Sequence, residues 1–192
     1  MDGRDLIRKS QAGDLQAFER LVVARRGQVF RIARQIVGED EEAKDVAQMG
    51  FVRLWQTLPR YREGGSFGAY LHRITVNLAF DSARKRESRE WARGMDAREL
   101  EELAGPTLPA ENLEPGEIQR IFGVLSRRLG SRQKAAFVLR EIEGMSTEDV
   151  AEILGMSEST VRNHVHAARK ALQEGLRKLF PEYARGQGGS EE

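Results

Sequence analysis

Apolar residues recur at spacings of three and four along most of the chain, and the alternation typical of strands is absent. This periodicity predicts an all-α protein. The first long helix follows Asp14, a residue suited to capping a helix, and ends at Gly38. The acidic run 39–42 opens the next helix, because carboxylates are stabilised at the positive end of a helix dipole. A third helix runs from Phe67 into the basic stretch 83–89.

The segment 144–172 has the pattern of a helix-turn-helix. Ser146 is suited to capping a first helix, and Gly155 supplies the left-handed residue that a tight turn requires. Ser157 caps the second helix, whose inward positions follow at spacings of four, three and four. Those inward positions are Val161, Val165, Ala168 and Leu172.

The outward face of this second helix carries side chains suited to reading DNA. Arginine pairs with guanine edges and asparagine with adenine edges in the major groove. The alternative is an ordinary amphipathic helix with a solvated polar face, and the two caps with the glycine turn favour the DNA reader. The predicted DNA-reading residues are Glu158, Ser159, Arg162, Asn163, His166, Arg169 and Lys170.

Charge and proline divide the chain. Residues 51–94 hold nine basic and four acidic residues, residues 95–117 hold one and seven, and residues 118–185 hold twelve and eight. Three of the five prolines fall in the acidic stretch, which cannot sustain a long helix. We therefore predict two small helical domains joined by a flexible acidic linker: domain 1–94, linker 95–117, helix-turn-helix domain 118–181 and a disordered tail 182–192.

Composition excludes several functions. The 192 residues are 40% hydrophobic and include no cysteine, so disulfides, thiol catalysis and cysteine-ligated zinc are excluded. His164 and His166 lie two residues apart on a helix and cannot bind one ion together, so we expect no metal and no cofactor. No apolar run approaches the roughly 20 residues that span a bilayer. Without a recognisable catalytic constellation, a cytoplasmic protein that is not an enzyme is expected.

Two stretches, in this order, carry a family resemblance. Residues 17–86 resemble domain two of bacterial sigma factors of the extracytoplasmic-function group, and residues 129–172 resemble their domain four. The resemblance implies a protein that binds core RNA polymerase and directs promoter-specific transcription initiation. Its helix-turn-helix would read the minus-35 element, and its N-terminal domain would open the minus-10 region. The alternative is a helix-turn-helix regulator that does not dock on polymerase.

The resemblance also implies a docking surface on the helix 41–55, which would contact the clamp helices of the largest polymerase subunit, with the flap as a further contact. Met49 and Gly50 stand where the family commonly has Glu and Thr. A mid-helix glycine costs about 1 kcal/mol relative to alanine, so we expect local bending or crowding there. The implied docking residues are Asp45, Gln48, Arg53 and Trp55.

Residues 61–81 match the family's capture site for the non-template strand of the minus-10 element. An unstacked base would enter a pocket formed by the loop 62–67 and the helix behind it, and core packing is the alternative for the two aromatic residues there. The basic helix end would hold backbone phosphates. The implied residues are Arg62, Ser66, Phe67, Tyr70 and Asn77 for the strand, and Arg84, Lys85 and Arg86 for phosphates. An anti-sigma factor that covers these surfaces is a further implied partner.

Overall fold

The computed structural model describes residues 3–62, 66–91 and 115–180, and within them the chain forms eight α-helices and no strand. The predicted all-α class is confirmed. None of these helices is both long and apolar enough to cross a membrane. In chain order the helices are α1 (Gly3–Gln11), α2 (Leu15–Val37), α3 (Asp40–Thr57), α4 (Phe67–Trp91), α5 (Pro115–Ser126), α6 (Ser131–Phe137), α7 (Thr147–Leu154) and α8 (Glu158–Leu179).

Two of these α-helices continue into a turn of another helical type. A 3₁₀ turn, Leu58–Arg60, continues α3, and a π-helical turn, Val138–Ile142, continues α6. Helix α5 begins at Pro115, inside the segment predicted as linker, with proline in the first turn where its missing N–H is tolerated. The rest of the predicted linker and the predicted tail lie outside the described residues.

The ends of α2 follow the sequence prediction. Asp14 caps the helix, since its Oδ1 accepts a hydrogen bond from the Ala17 amide at 3.0 Å. Gly38 ends the helix with a φ of 89°, in the left-handed region that favours glycine. Helix α3 then starts with three carboxylates in its first turn, at the positive end of its dipole.

Helix α1 was not predicted from the sequence. It buries Ile7 and holds the chain beyond α3 through Gln11, whose Nε2 donates to the carbonyl oxygens of Leu58 at 3.2 Å and Tyr61 at 2.8 Å. The helix is therefore fastened by contacts between residues about fifty positions apart. Local periodicity over nine residues is too short to indicate such a helix.

The N-terminal helices enclose an apolar cluster. Helices α2, α3 and α4 pack on one another, and α1 packs on α2. Burial of large apolar side chains is the main favourable contribution to such packing. The buried members are Ile7, Leu21, Val29, Leu54, Leu58, Phe67 and Leu71.

A second cluster is shared by the N-terminal and C-terminal helices. On the N-terminal side it takes the second half of α2 and parts of α3 and α4, and on the C-terminal side it takes α6 to α8. The N-terminal helices contribute Ile32, Ala33, Ile36, Val37, Ala43, Val46, Ala69, Val76 and Ala79. The C-terminal helices contribute Ala135, Ala136, Leu139, Val150, Ile153, Val161 and Val165.

Polar contacts border this shared cluster. Arg31 on α2 donates from Nη2 to Oε2 of Glu143 at 3.2 Å, and the Glu143 side chain is only 6% exposed. Arg73 on α4 donates from Nη2 to the main-chain carbonyl of Glu152 on α7. The second contact places α7 beside the N-terminal half of α4.

Gly50 lies in the middle of α3, where it is buried and faces Thr75 of α4. A Cβ atom built on Gly50 meets only Thr75 Oγ1, at 3.9 Å, which is an ordinary van der Waals distance. The crowding expected from the sequence at this position is therefore absent. The glycine carries its backbone-entropy cost without a steric reason.

Replacement of two glycines should therefore act in opposite directions. Gly50→Ala should raise the free energy of unfolding by about 0.5–1 kcal/mol, because the methyl group fits and alanine restricts the unfolded chain. Gly155→Ala should lower it by about 1–2 kcal/mol, because Gly155 has a φ of 62° that alanine adopts at a cost. Urea unfolding at fixed pH measures both, and a loss of stability in Gly50→Ala would show that α3 has less room at this position than the 3.9 Å distance indicates.

His72 is the buried histidine of α4. It is 5% exposed, and its Nε2 has no hydrogen-bond partner among the described residues. Burial and, to a smaller extent, the charge of Arg25 on α2 lower the pKa of His72 to about 4, against an opposing effect of Asp149 on α7. The imidazole is therefore neutral in the folded protein at neutral pH.

This depressed pKa predicts acid sensitivity. The unfolded chain takes up a proton on His72 near pH 6.5 while the folded chain does not until about pH 4, so stability falls as pH falls through this window. Between pH 7.5 and 5.0 the loss from this group should be about 2 kcal/mol. Urea unfolding of His72→Phe at both pH values should show a correspondingly smaller drop than the unsubstituted chain. An equal drop in both proteins would mean that other groups cause it.

Candidate nucleic-acid and polymerase interfaces

Helices α7 and α8 form the predicted helix-turn-helix, and its two caps are confirmed. Ser146 Oγ accepts a hydrogen bond from the Asp149 amide at 3.0 Å, and Ser157 Oγ accepts one from the Thr160 amide at 3.2 Å. Between the helices Gly155 has φ 62° and ψ 46°, the left-handed conformation. The turn thus fixes the direction in which α8 leaves α7.

The buried stripe of α8 is the predicted one, with Val161, Val165, Ala168 and Leu172 all buried. Because these positions anchor one side of the helix, the opposite side faces outward. Every residue predicted to read DNA is exposed: Glu158, Ser159, Arg162, Asn163, His166, Arg169 and Lys170. The structure therefore brings the predicted reading residues together on one accessible surface.

A groove of about 280 Å³ runs along this surface. Two of the arginines that line it form ion pairs with carboxylates. Arg162 Nη1 contacts Glu158 Oε2 at 3.0 Å, one turn away on the same helix. Arg169 makes an ion pair with Glu141, which comes from the π-helical turn rather than from α8. The groove is lined by Arg140, Glu141, Thr147, Val161, Arg162, Val165, His166 and Arg169.

Arg140 and Glu141 were not predicted from the sequence, which assigned the reading surface to α8 alone. Both lie in the π-helical turn Val138–Ile142, which leads from α6 toward α7. A π turn changes the direction of side chains relative to a regular helix, and such turns are frequent at functional sites. Periodicity assumes a regular helix, so it gave no signal that these two side chains reach the groove.

The predicted strand-capture site is a cavity of about 530 Å³ beside the N-terminus of α4. Tyr70 packs against Tyr61, with ring centroids 4.9 Å apart and ring planes at 37°. Both rings are half-buried. The cavity is lined by Thr57, Arg60, Tyr61, Arg62, Ser66, Tyr70, Arg73 and Glu152. Tyr61, Arg60 and Arg73 were not singled out from the sequence.

The other residues assigned to strand capture are placed differently. Phe67 is 8% exposed and packs edge-on against Tyr61 at 5.8 Å, so its ring belongs to the apolar cluster of the N-terminal helices. Arg62, Ser66 and Asn77 are exposed, and Arg62 and Ser66 line the cavity. Residues 63–65 of the predicted loop lie outside the described residues. The aromatic surface in the cavity therefore comes from Tyr61 and Tyr70.

The basic end of α4 separates into exposed and half-buried charges. Arg84 and Lys85 are exposed. The Arg86 side chain is 18% exposed, contacts Glu42 Oε2 at 3.0 Å and donates to the main-chain carbonyl of Val37. Arg86 thereby joins α4 to the end of α2 and the first turn of α3, which is a structural role.

The predicted docking residues lie along α3. Asp45, Gln48 and Arg53 are exposed, whereas Trp55 is half-buried against Phe18, with ring centroids 4.8 Å apart. Two exposed apolar residues lie between them on the same surface: Met49 at 52% and Val52 at 42% exposure. The structure therefore adds an apolar centre to the polar positions expected from the sequence.

Two family models match the chain one after the other. The family described as sigma-70 region 2 matches residues 21–89, and the family described as sigma-70, region 4 matches residues 117–172. The first match contains α3 and most of α4, and the second contains the helix-turn-helix. Each candidate surface described above lies inside one of these two regions, apart from the edge of the cavity formed by Glu152.

Similar proteins match both regions together. The RNA polymerase sigma-E factor of Streptomyces coelicolor is 33% identical over 172 residues, covering 85% of this chain and 88% of that protein. The ECF RNA polymerase sigma factor SigW of Bacillus subtilis is 25% identical over 179 residues, covering 90% and 96%. The solved structure of CnrH in complex with the cytosolic domain of CnrY matches with a TM-score of 0.68 and 25% identity, covering 92% of this chain and 99% of that one.

The half-buried position of Arg86 makes a prediction about stability. Arg86→Met should lower the free energy of unfolding by about 1–3 kcal/mol, because it leaves the Glu42 carboxylate and the Val37 carbonyl short of a donor. Arg84→Met, the matched control on the exposed side, should change it by less than about 0.5 kcal/mol. Urea unfolding measures both, and equal small effects would remove the structural role assigned to Arg86.

Proposed function

This chain belongs to the sigma-70 family, in its extracytoplasmic-function group. From that membership we propose which of its surfaces binds core polymerase and which surfaces bind promoter DNA. As a sigma factor it is a transcription initiation factor that joins core RNA polymerase and directs it to promoters. The observation that carries this function is the presence of regions 2 and 4 in order on one chain. The chemistry of RNA synthesis belongs to the polymerase.

We propose that α8 reads the minus-35 element from the major groove. Arg162 and Asn163 are exposed near the N-terminal end of α8, where recognition helices contact base edges. His166 lies one turn further along the same side, and Arg169 and Lys170 follow it and are exposed. We assign these two cations to the flanking phosphates, because phosphate contacts position a recognition helix. Arg140 lines the same groove and adds a further cation to the phosphate contacts.

The cavity beside α4 is proposed to capture the minus-10 strand. Tyr61 and Tyr70 offer ring surface on which an unstacked base can stack, and Arg62 supplies a cation at the rim. Asn77 lies about two turns beyond Tyr70 on α4 and is exposed. Arg84 and Lys85 then hold backbone phosphates, while Arg86 supports the fold. On this division residues 1–94 act at minus-10 and residues 118–181 at minus-35.

The exposed surface of α3 is proposed as the dock for the clamp helices of the largest polymerase subunit, with the polymerase flap contacting region 4. Met49 and Val52 form its apolar centre, and Asp45, Gln48 and Arg53 form a polar rim. An apolar centre within a polar rim is the usual composition of a protein interface. Trp55 supports the surface from its edge by packing on Phe18.

An anti-sigma factor is the second protein partner that we propose. The similar protein CnrH is seen in complex with the cytosolic domain of CnrY, and this chain covers nearly all of CnrH. A regulator that occupies the α3 surface would compete directly with polymerase. Together with its polymerase partner, the chain is expected to act in the cytoplasm.

Run-off transcription with core polymerase tests the proposal. Arg162→Ala should reduce promoter-specific transcription about 10- to 100-fold, because a bidentate arginine–guanine contact contributes about 1–3 kcal/mol of discrimination. Binding of the variant to core polymerase, measured by fluorescence anisotropy, should stay unchanged. Equal loss of both activities would contradict the assignment of α8 to the minus-35 element.

Arg132→Ala provides the matched control. Arg132 is an exposed arginine on α6 of the same region and does not line the groove. Its loss removes the same charge from region 4, so transcription should stay within a factor of about two of the unsubstituted protein. The promoters used in the assay, once mapped, also supply the minus-35 sequences required for binding experiments.

A further inference from the structure

Glu141 is an acidic residue in the wall of an otherwise cationic groove. It lies in the π-helical turn Val138–Ile142 and forms an ion pair with Arg169 of α8, across 28 positions of sequence. The Glu141 side chain is 24% exposed and the Arg169 side chain is 56% exposed. The pair therefore lies at the border between the protein and the surface that faces DNA.

A carboxylate at this place has two physical effects on DNA binding. It holds the Arg169 guanidinium toward the protein, so this cation is less available to release counterions from DNA phosphates. It also brings a negative charge close to the negatively charged DNA backbone, which weakens any complex held by phosphate contacts alone. Both effects act on sequence-independent binding, because that binding depends on phosphate contacts.

The Glu141 carboxylate weakens a sequence-specific complex less than a non-specific one. In the specific complex, base contacts from Arg162 and Asn163 seat α8 in the groove, and the five N–H donors of an arginine allow Arg169 to contact a phosphate while one edge still faces Glu141. The ion pair then orients the guanidinium instead of withholding it. The same carboxylate thus opposes non-specific binding and positions a contact in specific binding.

We propose that Glu141 is a specificity-determining positioning residue for the minus-35 element, acting through Arg169. The inference rests on the proposed function of α8. Because of Glu141, Arg169 contacts a phosphate only when base contacts hold α8 in its specific position in the major groove. The residue adds discrimination without touching a base.

The experiment compares Glu141→Gln with the unsubstituted full-length chain, using anisotropy on a duplex that carries a mapped minus-35 element and on a scrambled duplex. On scrambled DNA the slope of log affinity against log salt should steepen by about 0.9, the value for one additional phosphate contact. With this slope change, lowering the salt from 200 to 50 mM should raise the affinity of Glu141→Gln for scrambled DNA by about 3.5-fold more than that of the unsubstituted chain. On the minus-35 duplex the slope should stay unchanged, so the ratio of specific to non-specific affinity falls by a similar factor at low salt.

A double-mutant cycle identifies Arg169 as the residue through which Glu141 acts. In an Arg169→Gln background only the repulsion between the Glu141 carboxylate and the DNA backbone is left to remove, so Glu141→Gln should steepen the slope on scrambled DNA by well under about 0.9. Steepening by the full amount in that background would show a general charge effect and overturn the proposal. Glu148→Gln, which removes an exposed carboxylate of α7 outside the groove, should leave the slope unchanged in the unsubstituted background.

Two further measurements separate the loss of the carboxylate from a change in the fold. Glu141→Ala should steepen the slope as Glu141→Gln does, and the urea midpoint of each variant shows whether the fold is intact. A slope on scrambled DNA that is the same in both variants and in the unsubstituted chain would overturn the role of Glu141. If the proposed function itself is wrong, the unsubstituted chain will already fail to prefer the minus-35 duplex, a result distinct from this one.

Discussion

Burial of one side of α2 is the interaction that holds the N-terminal helices together and joins them to region 4. Val29, Ile32, Ala33 and Val37 have no exposed surface, and burial of each large apolar side chain contributes about 1.5–3 kcal/mol. The first half of α2 packs with α1, α3 and α4, and its second half belongs to the cluster shared with region 4. A single helix thus positions the tyrosine cavity, the exposed surface of α3 and the contact to the helix-turn-helix.

Sequence reasoning succeeded where local chemistry decides the structure. Caps at Asp14, Ser146 and Ser157 and the turn at Gly155 were predicted because each depends on residues within a few positions. Prediction from the sequence failed where contacts between residues far apart in the chain determine the structure. Helix α1, the half-buried position of Arg86 and the reach of the π-helical turn into the groove all depend on residues that periodicity cannot place together.

The surfaces proposed to face DNA carry carboxylates among their arginines. The formal net charge of the whole chain is only +1 chiefly because the acidic stretch 95–117 offsets the basic stretches on either side of it. Several exposed arginines each have a carboxylate within ion-pair distance. Surface pairs of this kind contribute about 0–1 kcal/mol to stability, so their effect on the charge presented to a ligand outweighs their effect on the fold. The described pairs are Arg84 with Asp81, Arg162 with Glu158, and Arg169 with Glu141.

The apolar cluster shared by the two regions has a consequence for how the chain unfolds. Val76 and Ala79 of α4 lie in the same cluster as Val150 and Ile153 of α7, so loss of either region exposes apolar surface of the other. Two separate domains would melt independently, whereas regions that share buried surface melt together. We therefore expect the two regions to unfold together, and a partner that draws them apart must cover the apolar surface that it exposes.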